Sequence, residues 1–441
     1  MPLTNVRWLV FGLACATSFL LYLHRYSWNI IGPKLQEEFS LTNTQTAFLF
    51  SLFYYTYASG QIPSGIVADR FGPHRFLTAI VAVWSVAIAG IAYTGNLLLL
   101  GFWRLLFGAA QAGCYPSLTN ISHEWFPSRM RTTLQGWVAT TFGRAGGAMS
   151  PIILGTLLMG VCGFQWQLAL TLIAGVGIIH CFVFYFAFRD SPQHDPRVND
   201  AERELLTEGK ATVNSAKPQQ SVLPLKNAVR NRSLKWFTIQ QFLDAGSDVV
   251  FVGLIGTYFL MAHEFDIRKT GWLASLPLWG GALGGIVGGW LNDMFIRRTG
   301  NRRWTRSIVG FVGKVIGCGM LVLVVMQSDG VTAAWLLMAA KFFSDWSQPT
   351  TWGTCTDLGG RFSATVFSII NTAGTIGGIV MPIVFGVVLD MFTTSSIVDG
   401  SEVTLTNWNP LFALLSGMYL VSGACWLMVN CTERIHNESE N

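Results

Sequence analysis

The sequence predicts an all-α polytopic membrane protein with about twelve transmembrane helices, arranged as two related six-helix bundles. Three observations carry this prediction. The composition is apolar and poor in charge, apolar windows of spanning length recur along the whole chain, and a glycine–proline pattern occurs twice, six windows apart.

Of 441 residues, 51% are hydrophobic and 12% charged. A soluble domain carries about 25% charged residues. The mean hydropathy of +0.43 agrees. The 17 Trp and 31 Phe suit lipid-facing surfaces and interfacial belts, and the 46 Gly suit closely packed membrane helices. A soluble enzyme of this composition would expose large apolar patches. The eight cysteines form no C-x-x-C pair, and most lie within apolar runs. Buried thiols are expected, with neither a metal site nor a disulfide framework. The net charge of +5 reflects topology, so no nucleic-acid partner is implied.

A spanning helix needs roughly 20 apolar residues. That window gives spans at 8–31, 46–67, 77–95, 97–121, 133–159 and 168–188. After a polar stretch come 236–262, 270–292, 305–327, 332–357, 363–391 and 410–430. The first run reads as a full span and not as a cleaved leader, because it lacks a small-residue cleavage site. Loops carrying Arg70 and Arg75, Arg129 and Arg131, and Arg297, Arg298, Arg302 and Arg303 alternate with the basic-poor loops 94–96, 160–167 and 392–409. The opposite loops hold few basic residues, among them Lys34, Arg268 and Lys269. The positive-inside rule therefore puts both termini in the cytoplasm, where the sequon Asn437-Glu-Ser439 would carry no glycan.

The domain reading follows. Residues 1–188 form an N-terminal six-helix bundle, 189–235 a cytoplasmic central loop, and 236–441 a C-terminal bundle with a short cytoplasmic tail. Within the loop, Asn199 and Glu202 have capping-box spacing and Gly209 suits a C-cap, predicting a short surface helix over 200–208 that tethers the bundles.

The repeat supports the two halves independently. Gly143-x-x-Gly146-Gly147-x-x-x-Pro151 in span five matches Gly374-x-x-Gly377-Gly378-x-x-x-Pro382 in span eleven. Gly65-x-x-x-Asp69 after span two matches Gly289-x-x-x-Asp293 after span eight. Parallel six-helix repeats of this kind are an architecture of secondary transporters.

The stretch Gly65-Ile-Val-Ala-Asp69-Arg70-Phe-Gly72-Pro-His-Arg75 resembles the signature loop of the major facilitator superfamily, with a degenerate copy at Asp293, Arg297 and Arg298. Finer features resemble its anion:cation symporter family, which includes sugar-acid, sialic-acid and vesicular glutamate transporters. They are Arg25, Gln61-Ile-Pro-x-Gly65, Arg104-Leu-Leu-Phe-Gly108 with Ala112-Gly113 and Pro116, Trp125-Phe126-Pro127 with Arg131, and Asn371 before a glycine-rich span. The resemblance implies alternating access to a site between the halves, gated at the cytoplasmic side by charged latches of Asp69, Arg70, Arg75 and Asp293. It also implies substrate binding and coupling by Arg25 and Arg104, and substrate contacts from Tyr22, Tyr57 and Asn371. Tyr22-Leu-His-Arg25 and the tyrosines of span two also look like the organophosphate:phosphate antiporters. That family places a second cationic anchor in span seven, where this chain has Asp244 and Asp248.

An ionisable side chain at bilayer depth costs at least about 2.5–3.5 kcal/mol and so needs a purpose. By helical rise, Arg25 lies roughly 25 Å from the cytoplasmic end of span one and Arg104 roughly 10 Å from the outer end of span four, at similar depth. Two guanidinium groups facing one cavity would grip a carboxylate or phosphate through forked hydrogen bonds. The plainer alternative is that each bonds a helix-end carbonyl or an acid. Tyr54, Tyr57 and Gln61 form one stripe on span two, where packing and binding both remain open. Arg144 sits mid-span beside the paired glycines, and Lys314 is expected to snorkel from a peripheral span. Gln241, Asp244 and Asp248 share a face of span seven, and Lys341, Asp345, Gln348 and Trp352 a face of span ten. Gln348 and Trp352 are the second-half candidates for substrate contact, and Lys341 with Asp345 a neutralising pair.

The chain departs from the family it resembles at the coupling positions. Proton-coupled members have an acid before the span-one arginine, where this chain has His24, and a glutamate where it has Gln111. The coupling candidates are therefore His24, the Gln111 position, or Asp244, Asp248 and Asp345, with H⁺ or Na⁺ as the ion; an exchanger or uniporter would need neither. The overall expectation is a monomeric secondary transporter for a small organic anion such as a sugar acid, in a bacterial inner membrane, with no cofactor. An organophosphate exchanger or a Na⁺-coupled or uniporting anion carrier is the alternative. A sensor on a transporter scaffold lacks its signalling domain here, and no H-E-x-x-H, G-x-S-x-G or P-loop pattern suggests an enzyme.

Overall fold

The computed structural model describes residues 3–127, 134–207, 230–359, 363–398, 401–433 and 435. Its helices are α1 (Val6–Tyr26), α2 (Trp28–Glu38), α3 (Asn43–Phe71), α4 (Pro73–Ala92), α5 (Leu97–Ala112) and α6 (Cys114–Trp125). Next come α7 (Gly143–Pro151), widened on either side into π turns at Trp137–Phe142 and Ile152–Val161, then α8 (Trp166–Ala187) and the short α9 (Asp200–Thr207). The second half holds α10 (Arg232–Gly253), α11 (Ile255–Met261), α12 (Ile267–Thr299), α13 (Arg302–Val325), α14 (Gly330–Ser344), α15 (Ser347–Gly359), α16 (Ser363–Met391) and α17 (Asn409–Met428).

Among the described residues eight helical stretches are long and apolar enough to cross a membrane, and the bent pair α10–α11 makes a ninth. Three further long segments, α3, α12 and the pair α14–α15, carry more polar side chains and complete the twelve. The helices overrun several expected windows. α12 begins where Asp266 Oδ1 accepts from Lys269 N at 2.8 Å, and ends at Gly300 with φ +67°. Hydropathy finds the apolar middle of a helix, whereas caps set its ends.

Two compact units emerge, Met1–Ser27 with Leu52–Gln220, and Trp28–Ser51 with Ser221–Asn441. Within the first, the repeated glycine pattern seats α7 on α1, since a Cβ on Gly146 would collide with the Phe19 carbonyl. Within the second, Gly377 faces the Phe242 carbonyl and Gly374 faces Ala245, seating α16 on α10. The two copies of the repeat thus do one job, bringing span five against span one and span eleven against span seven.

The central-loop helix does more than tether. Asn199 Oδ1 accepts from Glu202 N at 3.0 Å, half of the expected capping box. The fully buried Glu202 carboxylate instead caps α1, accepting from Val6 N at 3.1 Å, Arg7 N at 3.3 Å and Thr4 Oγ1. A carboxylate at a helix N-terminus satisfies orphan amides and the helix dipole together. Gly209 lies outside the described residues.

In the second unit, Asn29 spans the bend between α10 and α11, accepting from Gly256 N at 2.6 Å and donating to Phe251 O at 3.2 Å. Asp390, at the end of α16, caps α3 by accepting from Asn43 N and Thr44 N, each at 3.0 Å. The basic-poor stretch 392–409 holds a two-stranded antiparallel hairpin, β1 (Thr393–Val398) and β2 (Ser401–Thr406). Its sequence signal is Asp399-Gly400 between two runs of Thr, Ile and Val. All eight cysteines are free thiols.

Candidate functional site

The first-half candidates converge on the guanidinium of Arg25. Tyr22, one turn earlier on α1, lies with its ring centroid 5.1 Å from the Arg25 Cζ. From α3, Phe53 and Tyr57 stand 4.9 Å and 4.6 Å away. Their rings stack with 19° between planes, as the i, i+4 spacing allows. The quadrupole of each ring favours a cation over its face. Gln111, fully buried on α5, accepts from Arg25 Nε at 3.0 Å and anchors itself by donating to Leu21 O at 3.1 Å. Arg25 Nη2 is buried and has no hydrogen-bond partner among the described residues.

Arg104 enters the same neighbourhood from α5. Its Cζ lies 5.6 Å from the Phe53 centroid, on the ring that Arg25 also uses, and 6.0 Å from Phe107. The two arginines expected at similar depth therefore share one aromatic wall. Tyr54 is edge-on to Phe53 at 5.1 Å, and Tyr115 bonds Ser18 Oγ at 3.0 Å beside Tyr22. Sequence reasoning missed Phe53 and Tyr115. Phe53 falls four residues before Tyr57, and that spacing was the available signal. Arg144 is half-buried on α7, and Gln61 is half-buried on α3.

His24 turns elsewhere. It is fully buried against α8, with Nε2 2.9 Å from Ile173 O. A carbonyl only accepts, so Nε2 carries the proton, and Nδ1 is a buried acceptor without a partner among the described residues.

The second-half candidates form one network. Lys314 is fully buried and ion-paired with Asp244, and it also donates to Ser344 Oγ at 2.6 Å. This corrects the expectation that Lys314 snorkels. A buried ammonium needs a counter-charge, and Asp244 supplies it from α10. Its apolar flanks hid that partner from sequence. Lys341 pairs with Asp345 at 2.5 Å, as expected, and with Asp248 at 2.7 Å. Gln348 donates to Asp244 Oδ2 at 3.1 Å. Lys314 Nζ also lies 4.6 Å from the Tyr419 ring on α17. Trp352 and Asn371 stand apart from this network. Trp352 is exposed and stacks on Phe367 at 4.4 Å, and Asn371 is exposed on α16.

Of the residues expected to form latches, Arg70, Arg75 and Asp293 are exposed, while the Asp69 side chain lies outside the described ones. The signature loop is held by Asp190, which accepts from His74 N at 2.7 Å and packs so tightly on Gly72, at φ +77°, that a Cβ there would strike it. No group of residues able to hold a metal ion occurs among the described residues.

A family profile described as Major Facilitator Superfamily matches residues 14–382. The probable sulfoacetate transporter of Cupriavidus necator is 30% identical over 88% of each chain. The probable galactarate/D-glucarate transporter of Escherichia coli is 28% identical over 95% of this chain and 94% of its own. Among solved structures, a bacterial homolog of the human lysosomal transporter Spinster aligns with a TM-score of 0.72 at 15% identity, covering 96% of this chain and 95% of that one. The nucleoside transporter NupG aligns with a TM-score of 0.66 at 13% identity, over 95% and 98%.

Proposed function

The chain belongs to the major facilitator superfamily, and from that premise we propose that it carries a small organic anion across the membrane by alternating access. The anion is a carboxylate, such as a sugar acid or a related sulfonated acid. One observation carries this reading. Arg25 is held by three rings and one amide, with Nη2 buried and without a partner among the described residues. A guanidinium so placed has hydrogen-bond capacity and charge left for an anion. Arg104 at the same Phe53 ring adds a second positive group. The relatives described as sulfoacetate and galactarate/D-glucarate transporters support the substrate class.

In this reading Tyr22 and Tyr57 flank the anion, with Asn371, Gln348 and Trp352 as contacts from the second half. The protein acts as a monomer in a bacterial inner membrane, with both termini cytoplasmic and the Asp69, Arg70, Arg75 and Asp293 latches on that side. An organophosphate exchanger with a second cationic anchor is disfavoured, because Lys314 and Lys341 are both engaged by aspartates.

Thermal unfolding of the detergent-purified protein with sugar acids, sulfoacetate, dicarboxylates, acidic amino acids and sugar phosphates tests the reading. A ligand of the folded state raises stability by RT ln(1 + [L]/Kd). Stabilisation by a carboxylate that vanishes in Arg25→Ala is the expected result. Stabilisation by sugar phosphates and not carboxylates would favour the exchanger, and by neutral solutes alone would overturn the anion assignment.

A further inference from the structure

The charges of the second-half network do not balance. Two ammonium groups, Lys314 and Lys341, face three carboxylates, Asp244, Asp248 and Asp345. With all five of these groups ionised their charges sum to −1 inside apolar helices. Such a charge is costly unless a cation neutralises it. Lys314 is committed to Asp244, and Lys341 is shared between Asp248 and Asp345.

Access distinguishes the three acids. The side chains of Asp244, Asp345 and Lys314 are 0% exposed and that of Lys341 is 6%, whereas Asp248 is 31% exposed. Asp248 is thus the one acid of the network whose side chain the surrounding helices do not fully enclose. The other groups near it are Lys341 on α14 and Asp345 just after that helix, Asp244 on its own helix, Lys314 on α13, Gln348 on α15 and Tyr419 on α17.

We propose that Asp248 is the coupling site of this transporter, taking up the one proton that neutralises a network of three carboxylates and two lysines. This rests on the reading of the chain as an anion carrier. A proton fits better than a metal cation, because the Lys341 ammonium 2.7 Å from Asp248 already occupies the approach that a metal's ligand shell would need. A proton adds no ligand shell. It bonds to a carboxylate oxygen and leaves Lys341 to Asp345. Of the first-half coupling candidates, Gln111 cannot titrate, and His24 is fully buried with Nε2 bound to Ile173 O. One proton with a singly charged anion would cross without net charge, whereas with a dianion such as sulfoacetate or galactarate one negative charge moves, so accumulation of those acids is read with the membrane potential clamped at zero.

Two measurements decide the matter. Infrared titration of the purified protein should show a protonated-carboxyl C=O band that appears on acidification and is missing in Asp248→Asn. Should Asp248→Asn fail to fold, Asp345→Asn serves instead. Lys341 is then left to Asp248 alone, so the band should move to lower pH. The chain's other carboxyls also titrate, so the band is read in the wild type minus Asp248→Asn difference; an empty difference, or an unmoved band in Asp345→Asn, would overturn the proposal. The second measurement is the plateau uptake of labelled sulfoacetate or galactarate into proteoliposomes. One coupled proton sustains about tenfold accumulation per pH unit. That ratio should collapse towards unity in Asp248→Asn and return in Asp248→Glu. Accumulation that follows a Na⁺ gradient at fixed pH, or survives in Asp248→Asn, would also overturn it. If neither acid moves in the wild type, the substrate class is wrong, while the infrared titration still decides the proton site.

Discussion

In the first half Arg25 and Arg104 stand on one aromatic wall with amides and hydroxyls around them, whereas in the second half Lys314 and Lys341 are each gripped by aspartates. Both arrangements put cations at bilayer depth, yet their energetics differ. The lysines meet their charge inside the protein, so removing one leaves an aspartate stranded. Arg25 meets rings and a glutamine, which stabilise it without cancelling it. The difference teaches where a ligand's charge fits. An anion would add its charge to the first site without displacing a partner acid among the described residues, and would have to break ion pairs at the second.

The largest effect should come from breaking the self-neutralised region. Lys314→Met leaves the fully buried Asp244 without its ammonium and is expected to cost about 3–5 kcal/mol of stability. The double variant Lys314→Met/Asp244→Leu removes both charges and should recover most of that loss. Denaturant unfolding of the four proteins in detergent provides the double-mutant cycle. A single variant as stable as the wild type would mean that this ion pair contributes little.

Next is Arg25→Ala, which should lower stability without ligand by less than Lys314→Met, since it orphans Gln111 Oε1 and removes a cation from three rings but strands no acid among the described residues. Anion binding should weaken by about 1.5–3 kcal/mol, the range for hydrogen bonds to charged groups. Arg25→Lys should restore only part, because an ammonium lacks the planar fork. Titration of the ligand-induced shift in melting temperature measures both. Equal loss of stability with and without ligand would make Arg25 a structural residue, like the lysines.

Much of this contrast was legible in the sequence. The spans, the repeated glycine pattern and the Lys341–Asp345 pair follow from hydropathy and spacing, which are local properties of the chain. Three features depended on pairings between distant segments. Lys314 sits between Gly313 and Val315 in an apolar run, and nothing local shows that Asp244 waits 70 residues away. Glu202 reads as part of its own helix's cap, yet its carboxylate caps α1. Phe53 looks like one more aromatic of span two until both arginines are found against it. Periodicity tells which face a residue occupies and cannot tell what the facing helix brings.

The repeat tests whether the halves share a scaffold despite their different charges. Gly146→Ala would push a methyl group into the Phe19 carbonyl, and Gly377→Ala into the Phe242 carbonyl. Each should cost about 1–3 kcal/mol by overpacking, to a similar extent in both halves. Unfolding of the two variants side by side is the measurement. A marked asymmetry would show that one half tolerates a shift of its seated helix.

The smallest expected effect is the most informative about the comparison. Gln111→Glu gives Arg25 the acid it lacks, at the position where Oε1 already accepts from Nε at 3.0 Å. The first site would then resemble the second, with its cation partly cancelled from within. At neutral pH anion binding should weaken by about 1–1.5 kcal/mol, roughly the difference between a neutral and a charge-assisted hydrogen bond. On acidification the new carboxyl takes up a proton, the cancellation lifts, and affinity should return toward the wild-type value. Wild-type binding should lack this recovery, because Gln111 does not titrate. Ligand-induced melting shifts across a pH series separate the two proteins. If Gln111→Glu binds anions as tightly as the wild type at every pH, the charge on Arg25 is not what holds the ligand, and the contrast between the halves loses its functional meaning.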